Sequence, residues 1–477
     1  MSYPAISSGK KYVTFFGRIV ILGFGSIGQG TLPLILRHID CDPVKITIVT
    51  ADERGRAEAE AMGIEFTVQP LTRENYIEIL TPLLDAGDFL CNLSVDVSSL
   101  ALMEFCHRRG VLYLDTCIEP WCGGYTDNAL SPSERSNYAL RESVLEFRRR
   151  TGDEGPTAVV THGANPGLVS HFVKQALLDI AHDTGVEASP TGRSGWAALA
   201  DHLNVNVIHI AERDTQVSNL PKQPGEFVNT WSVDGFFSEG SQPAELGWGS
   251  HERHFPTDAG RHSFGCGAAI YLNRQGAGTR IRSWTPLEGP YHGFLVTHGE
   301  SISIADYLTL RKGQNILYRP TVHYAYHPCD DAVLSLHELA GKNWNLQREK
   351  RILMDEITEG VDELGVLLMG HAKGIYWYGS VLSIEEARKL APYQNATSLQ
   401  VTMPVVAGMI WAMENPNRGL VEPDEMDHAR ILEITRPYLG KLVGTYGDWT
   451  PLQGRNPLFP EDVDMSDPWQ FKNFRVA

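Results

Sequence analysis

An α/β fold built on a doubly wound parallel sheet is what this 477-residue sequence predicts, on three observations. A β-branched apolar run, "RIVILGFG", breaks into glycines and then into the helical pattern "SIGQGTLPLILRHI". Further strand-like runs follow, "VKITIVT" (44–50), "FLCNLSV" (89–95) and "VLYLDTC" (111–117), separated by segments of helical character such as "ADERGRAEAEAMG" and "RENYIEILTPLL". After about residue 155 this alternation gives way to a strand-rich stretch and then to helices. Alternating β and α at this spacing calls for parallel strands joined by crossover helices.

The glycine loop sets the first functional expectation. Gly23 permits a tight turn, Gly25 lets backbone approach a pyrophosphate, and Gly28 lets the helix sit close to the strand. The helix then starts at Ser26 and Ile27, where free N–H groups face the phosphates. Together these predict a Rossmann-type dinucleotide site. An acidic residue normally ends the second strand and holds the adenosine ribose. Here the strand ends on Thr50, with Asp52 two residues on and Glu53, Arg54 and Arg56 behind it. Asp52 serves if the loop curls back, so NAD is preferred, while the arginines leave room for a 2′-phosphate. Open α/β sheets bind ligands beyond their strand C-termini, which places Asn92, Ser94, Asp96, Asp115, Thr116 and Glu119 near the nicotinamide half. Three carboxylates are more acid than a simple ketone reductase needs.

Bulk properties narrow the class. The formal charge of −17 disfavours nucleic acid and anionic membrane as partners and favours cationic substrates. No apolar run reaches the ~18 residues of a membrane span, and "MSYPAISSGKKYVTFF" lacks a signal-peptide h-region, so a cytoplasmic location is expected. The seven cysteines are scattered without a CxxC pair, which argues for reduced thiols and against a thiolate zinc site. "HERH" (251–254) has the wrong spacing for two zinc-binding histidines. His323 and His327 in "HYAYHPCDD" fall on a strand, too far apart to share an ion, so no metal is expected.

Beyond residue 155, "PTAVVTHGANPGLVSHFVKQALLDIA" reads as strand, turn and long helix. Its turn offers Gly163, Ala164 and Asn165 where backbone can approach a ligand, or a plain helix start with Asn165 as cap. Residues 205–330 read as successive strands and turns with few helical periods, including "GEFVNTWSVDGFFSEG" and "HGFLVTHGESISIADYL". Here Glu212, Trp231, Glu239 and His298 are the candidates for a pocket that takes an organic cation. Tryptophan would supply the π-face and carboxylates the countercharge. Three C-terminal helices are expected, with "NATSLQVTMPVVAGMIWAMEN" apolar nearly all round and therefore buried. The expected domains are 1–155, 156–390 as an inserted α+β unit, and 391–477 as helices packing back on the first.

Many of these segments, "ILGFGSIGQGTLPLI", "NLSVDVSSL", "GANPGLVSHFVKQAL", "HIAERDTQ", "NTWSVDGF", "SEGSQPAELGWG", "LVTHGESISIADYL", "HYAYHPC" and "SDPWQF" among them, resemble the bacterial homospermidine synthases of the saccharopine dehydrogenase-like group. The resemblance spans essentially the whole chain. It implies a Rossmann domain with NAD as a recycled cofactor, an inserted domain that helps form a homodimer, and transfer of the 4-aminobutyl group of putrescine or spermidine to putrescine. Ammonia or 1,3-diaminopropane would leave. It further implies that Trp231 passes cationic intermediates over its ring, Glu239 and Glu212 anchor ammonium groups, and Asn165 orients the reacting nitrogen. Asp96, Glu119 and His298 would line the inner pocket, with His298 as proton carrier because its pKa is closest to neutrality. Two other readings compete. A net NAD(P)H-dependent amine dehydrogenase of the saccharopine or carboxynorspermidine type would need arginines for a substrate carboxylate. A non-catalytic dinucleotide-binding protein would not need the dense Glu/Trp/His set.

Overall fold

The computed structural model describes residues 9–455 and 458–476. The reading of the N-terminus as lacking a leader begins in residues 1–8, outside the described residues. Five strands follow the predicted alternation: β1 (Ile19–Leu22), β2 (Ile46–Thr50), β3 (Glu65–Val68), β4 (Phe89–Asn92) and β5 (Leu112–Asp115). β1 is wholly buried and lies in parallel register between β2 and β4, with β3 and β5 outside them. That central position explains its run of Ile, Val and Leu, since a strand covered on both faces has no polar side. Helix α1 (Ser26–His38) follows it. Gly23 has φ +80° and a Cβ there would stand 2.7 Å from the Leu93 carbonyl oxygen, so the turn admits only glycine. A Cβ on Gly28 would come within 2.8 Å of the Gly23 carbonyl, so the helix docks closely on its strand.

Strand β6 (Ala158–Val159) lies past the expected boundary at residue 155, yet it pairs in parallel with β5, and Leu420–Val421 pairs with β6. The first sheet therefore draws its last strands from beyond the predicted first domain.

The second sheet is mixed and has ten strands among the described residues. Helix α2 (Leu168–Asp183) is buried against it, and β7 (Val207–Asp214) runs through its middle. β8 (Glu226–Asn229) lies off this sheet and leads through Trp231 into α3 (Val233–Ser241). Helix α4 (Gly299–Tyr307) precedes β9 (Thr321–His327), which pairs in parallel with β7. β10 (Val361–His371) flanks β7 on its other side, antiparallel, and pairs with β11 (Gly374–Ser383). The register sets Glu212 beside Tyr326 and Leu364, and Asp214 beside Asp362. Side chains alternate along a strand, so these polar groups and Tyr324 share one face. His209 and His323 share the other, under Phe471 and Phe474.

The helices α3 and α4 depart from the strand-and-turn reading of these segments. Ser232 caps α3, its hydroxyl accepting from the Gly235 N–H, with Asp234 in the first turn. Val233 and Phe236 are three apart and both buried, a helical rather than a strand spacing.

Contrary to the expectation that no apolar run reaches a membrane span, helix α5 (Ala396–Glu414) is by length and composition apolar enough to cross a membrane, but 89% of its apolar 18-residue window is buried inside the protein. It packs on the first sheet, where the Gln394 amide just before it donates to the Gly30 carbonyl at 2.9 Å. Its cap residue Asn395 also donates to the carbonyls of Thr230 and Leu353, at 2.7 and 2.8 Å, so it ties the two halves together. The C-terminal segment is not wholly helical. β12 (Lys441–Gly447) pairs with β11 at the edge of the second sheet, which gives that edge a partner.

Candidate active site at the junction of the two sheets

The C-terminal ends of β1, β2 and β4 open onto a cleft lined by Gly23, Gly25, Ser26, Ile27, Gly28, Thr50, Asp52, Ser94 and Asp96. Residues Ser232–Asp234, Lys350 and Ile352 of the second half close its far wall. A Cβ on Gly25 would meet nothing within 4 Å, and α1 has no side-chain cap, so its first N–H groups face open space. An uncapped helix N-terminus beside a glycine with room for close approach suits a dinucleotide pyrophosphate. Asp52 reaches the cleft, but Arg54 holds it through its backbone N–H at 2.9 Å and its guanidinium at 2.6 Å. Those bonds keep the Asp52 carboxyl below its usual range. To hold a ribose diol, Asp52 must exchange Arg54 for the sugar.

Two expected cofactor residues lie beneath this surface instead. Asn92 accepts from Ser94 N–H and Oγ–H and donates to the Tyr113 hydroxyl at 3.2 Å. Asp115 accepts from the same tyrosine at 2.8 Å and from the Thr161 N–H at 2.6 Å. Both are almost fully buried. They are the last residues of adjacent strands in register, and the strand pleat turns both toward Tyr113. They shape the loops and do not line the cleft.

Ile27, Ser94, Val95 and Ser232 also form the mouth of a second, inner pocket, walled by Thr116, Cys117, Glu119, Gly163, Ala164, Asn165, Glu212, Trp231, Glu239, His298, Tyr324 and Thr397. All the catalytic candidates except Asp96 meet here. Asp96 stands on the cofactor side with φ +62°, and its N–H donates to Glu119 at 3.4 Å.

Each acid has its own electrostatic state. Glu212 accepts from the Tyr324 hydroxyl at 2.5 Å and the Asn165 amide at 2.9 Å. Burial pushes its carboxyl up to about 7, with Asp214 adding to the shift and the two hydrogen bonds and His298 opposing it. Glu119 is likewise pushed up to about 7 by burial, against hydrogen bonds from Cys117 and Asp96. His298 lies between Glu239, 2.9 Å from Nε2, and Glu300, 3.2 Å from Nδ1. Burial disfavours its charge, but the two carboxylates outweigh it and hold His298 well above its ordinary pKa. The shift of His298 is thus away from neutrality and toward the imidazolium, and the carboxyls raised to about 7 are Glu212 and Glu119.

Trp231 donates its Nε1–H to the Tyr326 hydroxyl at 3.1 Å, which fixes the ring at the pocket edge. Tyr324 and Tyr326 stack at 5.1 Å. Sequence reasoning missed both tyrosines and Thr397. The period-two pattern of "HYAYH" signals one shared tyrosine face, whereas Thr397 arrives on α5 from the far end of the chain and left no local sign.

Residues 19–159 match the family model described as saccharopine dehydrogenase NADP binding domain, and residues 163–448 match the saccharopine dehydrogenase C-terminal domain. Fold and cleft thus define a protein of the saccharopine dehydrogenase class. The homospermidine synthase of Blastochloris viridis is 59% identical over 467 residues, 96% of this chain and 97% of that one. That of Mesorhizobium japonicum is 53% identical over 473 residues, 98% of this chain and 97% of its own. The crystal structure of a Legionella pneumophila homospermidine synthase in complex with NAD superposes with a TM-score of 0.92 at 51% identity, covering 98% of this chain and 99% of that one. The chain belongs to the homospermidine synthase family.

Proposed function

We propose that this enzyme makes homospermidine by NAD-dependent, redox-neutral transfer of a 4-aminobutyl group from putrescine or spermidine to putrescine. The observation that carries the reading is an acid-walled inner pocket opening directly onto a dinucleotide cleft, with a carboxyl near neutrality at the junction. NAD, when bound, supplies a reversible hydride acceptor, which lets a C–N carbon become an electrophilic imine and later return to an amine. The chain's residues do the rest. Diamines are dications near pH 7, since alkylammonium pKa values lie near ~10. Glu212 removes a proton from the reacting nitrogen, while Asn165 and Tyr324 hold the carboxyl in place. Glu239 and Glu119 balance the charge of the far ammonium, and the imidazolium of His298 keeps Glu239 positioned. Trp231 offers its face to the cation as it passes. Among the described residues the wall of this pocket carries no arginine, and Arg141, in the adjoining cavity that shares Glu119, Glu239 and His298, is already paired with Asp306 and Glu422, which supports a diamine over an amino acid.

Incubation with putrescine and a trace of NAD should yield homospermidine and ammonia with no net absorbance change from NADH. Stoichiometric NADH would assign the chain to net amine dehydrogenation instead. Trp231→Ala should cost more activity than Trp231→Phe, because a desolvated cation–π contact is worth about 2 kcal/mol and phenylalanine keeps part of it. Equal losses in steady-state assays would reduce Trp231 to packing. A homodimer belongs to the same proposal, checked by sedimentation at assay concentration. So does a cytoplasmic location, which the free cysteines support and cell fractionation tests.

A further inference from the structure

Behind Glu212, on the same sheet face, two more carboxyls are almost wholly buried: Asp214 on β7 and its cross-strand neighbour Asp362 on β10. The Thr397 hydroxyl of α5 stands between them, 2.6 Å from Asp362 Oδ2 and 3.2 Å from Asp214 Oδ2. The same hydroxyl receives the Gln216 amide at 3.0 Å, and Thr397 is one of the residues that line the inner pocket.

Donor counting separates the two acids. Asp214 accepts from the Gln216 backbone N–H at 2.9 Å, the Gln216 side chain at 3.0 Å and the Thr230 hydroxyl at 2.8 Å. Three donors satisfy an ionised carboxylate. Asp362 has Thr397 on one oxygen, and its Oδ1 has no hydrogen-bond partner. A carboxylate with an orphaned oxygen, buried beside an ionised neighbour, is costly. A hydroxyl also has one proton to give and cannot donate to both acids. The consistent arrangement has Asp362 protonated and donating to Thr397, whose own proton points to Asp214 or into the pocket. Burial, then Glu212 and Asp214, raise Asp362 well above the ordinary carboxyl range, in agreement with this count.

We propose that Asp362 acts through the Thr397 hydroxyl as a buried proton donor to the substrate pocket, complementing Glu212. The proposal rests on the amine-exchange reading above. Once Glu212 has released to solvent the proton it took before hydride transfer, the second putrescine nitrogen adds to the iminium carbon, a C–N bond forms and the proton of that nitrogen passes to Glu212. The C–N bond to the first nitrogen then breaks, its electron pair leaving with that nitrogen. The proton this nitrogen needs comes from Thr397, which is resupplied by Asp362. One proton has entered Glu212 and one has left Asp362, and Asp362 is reprotonated after the products leave. Without such a donor, the proton just taken by Glu212 would have to be handed back to the leaving nitrogen, whereas a second donor lets attack and departure use different groups.

Thr397→Val keeps the side-chain shape and removes the relay, Thr397→Ser restores a hydroxyl, and Asp362→Asn keeps the site uncharged but cannot release a proton. With saturating putrescine and NAD, kcat should fall about 100-fold in Thr397→Val and in Asp362→Asn, and return to within roughly threefold in Thr397→Ser. NAD affinity by protein fluorescence should hold in both Thr397 variants and the melting temperature in Thr397→Ser, while Thr397→Val, which leaves Asp362 and the Gln216 amide short of a partner, should melt lower and still bind NAD. The solvent isotope effect on kcat should change with Thr397→Val. Infrared difference spectra supply a readout independent of turnover: the carbonyl stretch of a protonated carboxyl should vanish in Asp362→Asn and shift in Thr397→Val. Wild-type kcat in Thr397→Val overturns the relay, as does equal loss in Thr397→Val and Thr397→Ser. Absence of homospermidine from the wild type, with the infrared band intact, would instead remove the reading beneath it.

Discussion

Glu212→Gln should lower putrescine turnover by about 10²–10⁴-fold, the range in which a positioned acid–base group acts. The carboxamide fills the same volume and keeps contact with Tyr324 and Asn165, so the loss reports proton transfer and not packing. In the wild type, kcat/KM should rise with pH through about 7, the value to which burial pushes this carboxyl, and the variant should lose that limb. Stability should move the opposite way. Glu212 binds its proton more tightly folded than unfolded, so between about pH 4.5 and 7 the folded state holds more protons and stability falls as pH rises. Glu212→Gln should remove that fall and melt higher than wild type above neutrality. Each unit of pKa difference is worth about 1.4 kcal/mol, which makes the gain measurable by calorimetry at pH 8. An active Glu212→Gln enzyme with an unchanged pH profile would move the base elsewhere in the pocket.

The parts of this architecture legible in the sequence are those that local physics dictates. Gly23 must be glycine because of its φ and the backbone beside it, and β1 must be apolar because both faces are covered. What was not legible depends on register between distant strands. Asn92 and Asp115 end their strands as cofactor residues would, but pairing β4 with β5 turns both onto Tyr113. Tyr324 becomes a pocket residue, and Tyr326 the partner of Trp231, only because β9 lies beside β7. The charge of His298 could be read only in part from its own neighbourhood, which holds Glu300, since Glu239 comes from α3. Thr397 enters on a helix whose composition announces only burial.

Glu239→Gln carries the other large effect, and it tests whether this wall of the pocket acts by charge. Glu239 is the closer of two carboxylates on His298, and it also faces the space where a substrate ammonium would sit. Replacing it with an isostere leaves both cations underserved in a desolvated site. The expected cost is about 2–4 kcal/mol in kcat/KM for putrescine, or roughly 30- to 1,000-fold. NAD affinity should not change, because Glu239 does not line the cofactor cleft. The pair has a pH signature as well. The folded pKa of His298 is raised, so its contribution to stability is fully present below the unfolded value of about 6.5 and is lost as pH rises through the folded one. Thermal melts of wild type and Glu239→Gln should therefore differ most below that pH and converge in alkali. Glu300 remains to hold the imidazole, so the ring should stay in place while the charge balance changes. Near-normal turnover in Glu239→Gln, with melting curves that stay parallel at all pH values, would show that neither the imidazolium nor the diamine depends on this carboxylate, and the ammonium anchor would pass to Glu119.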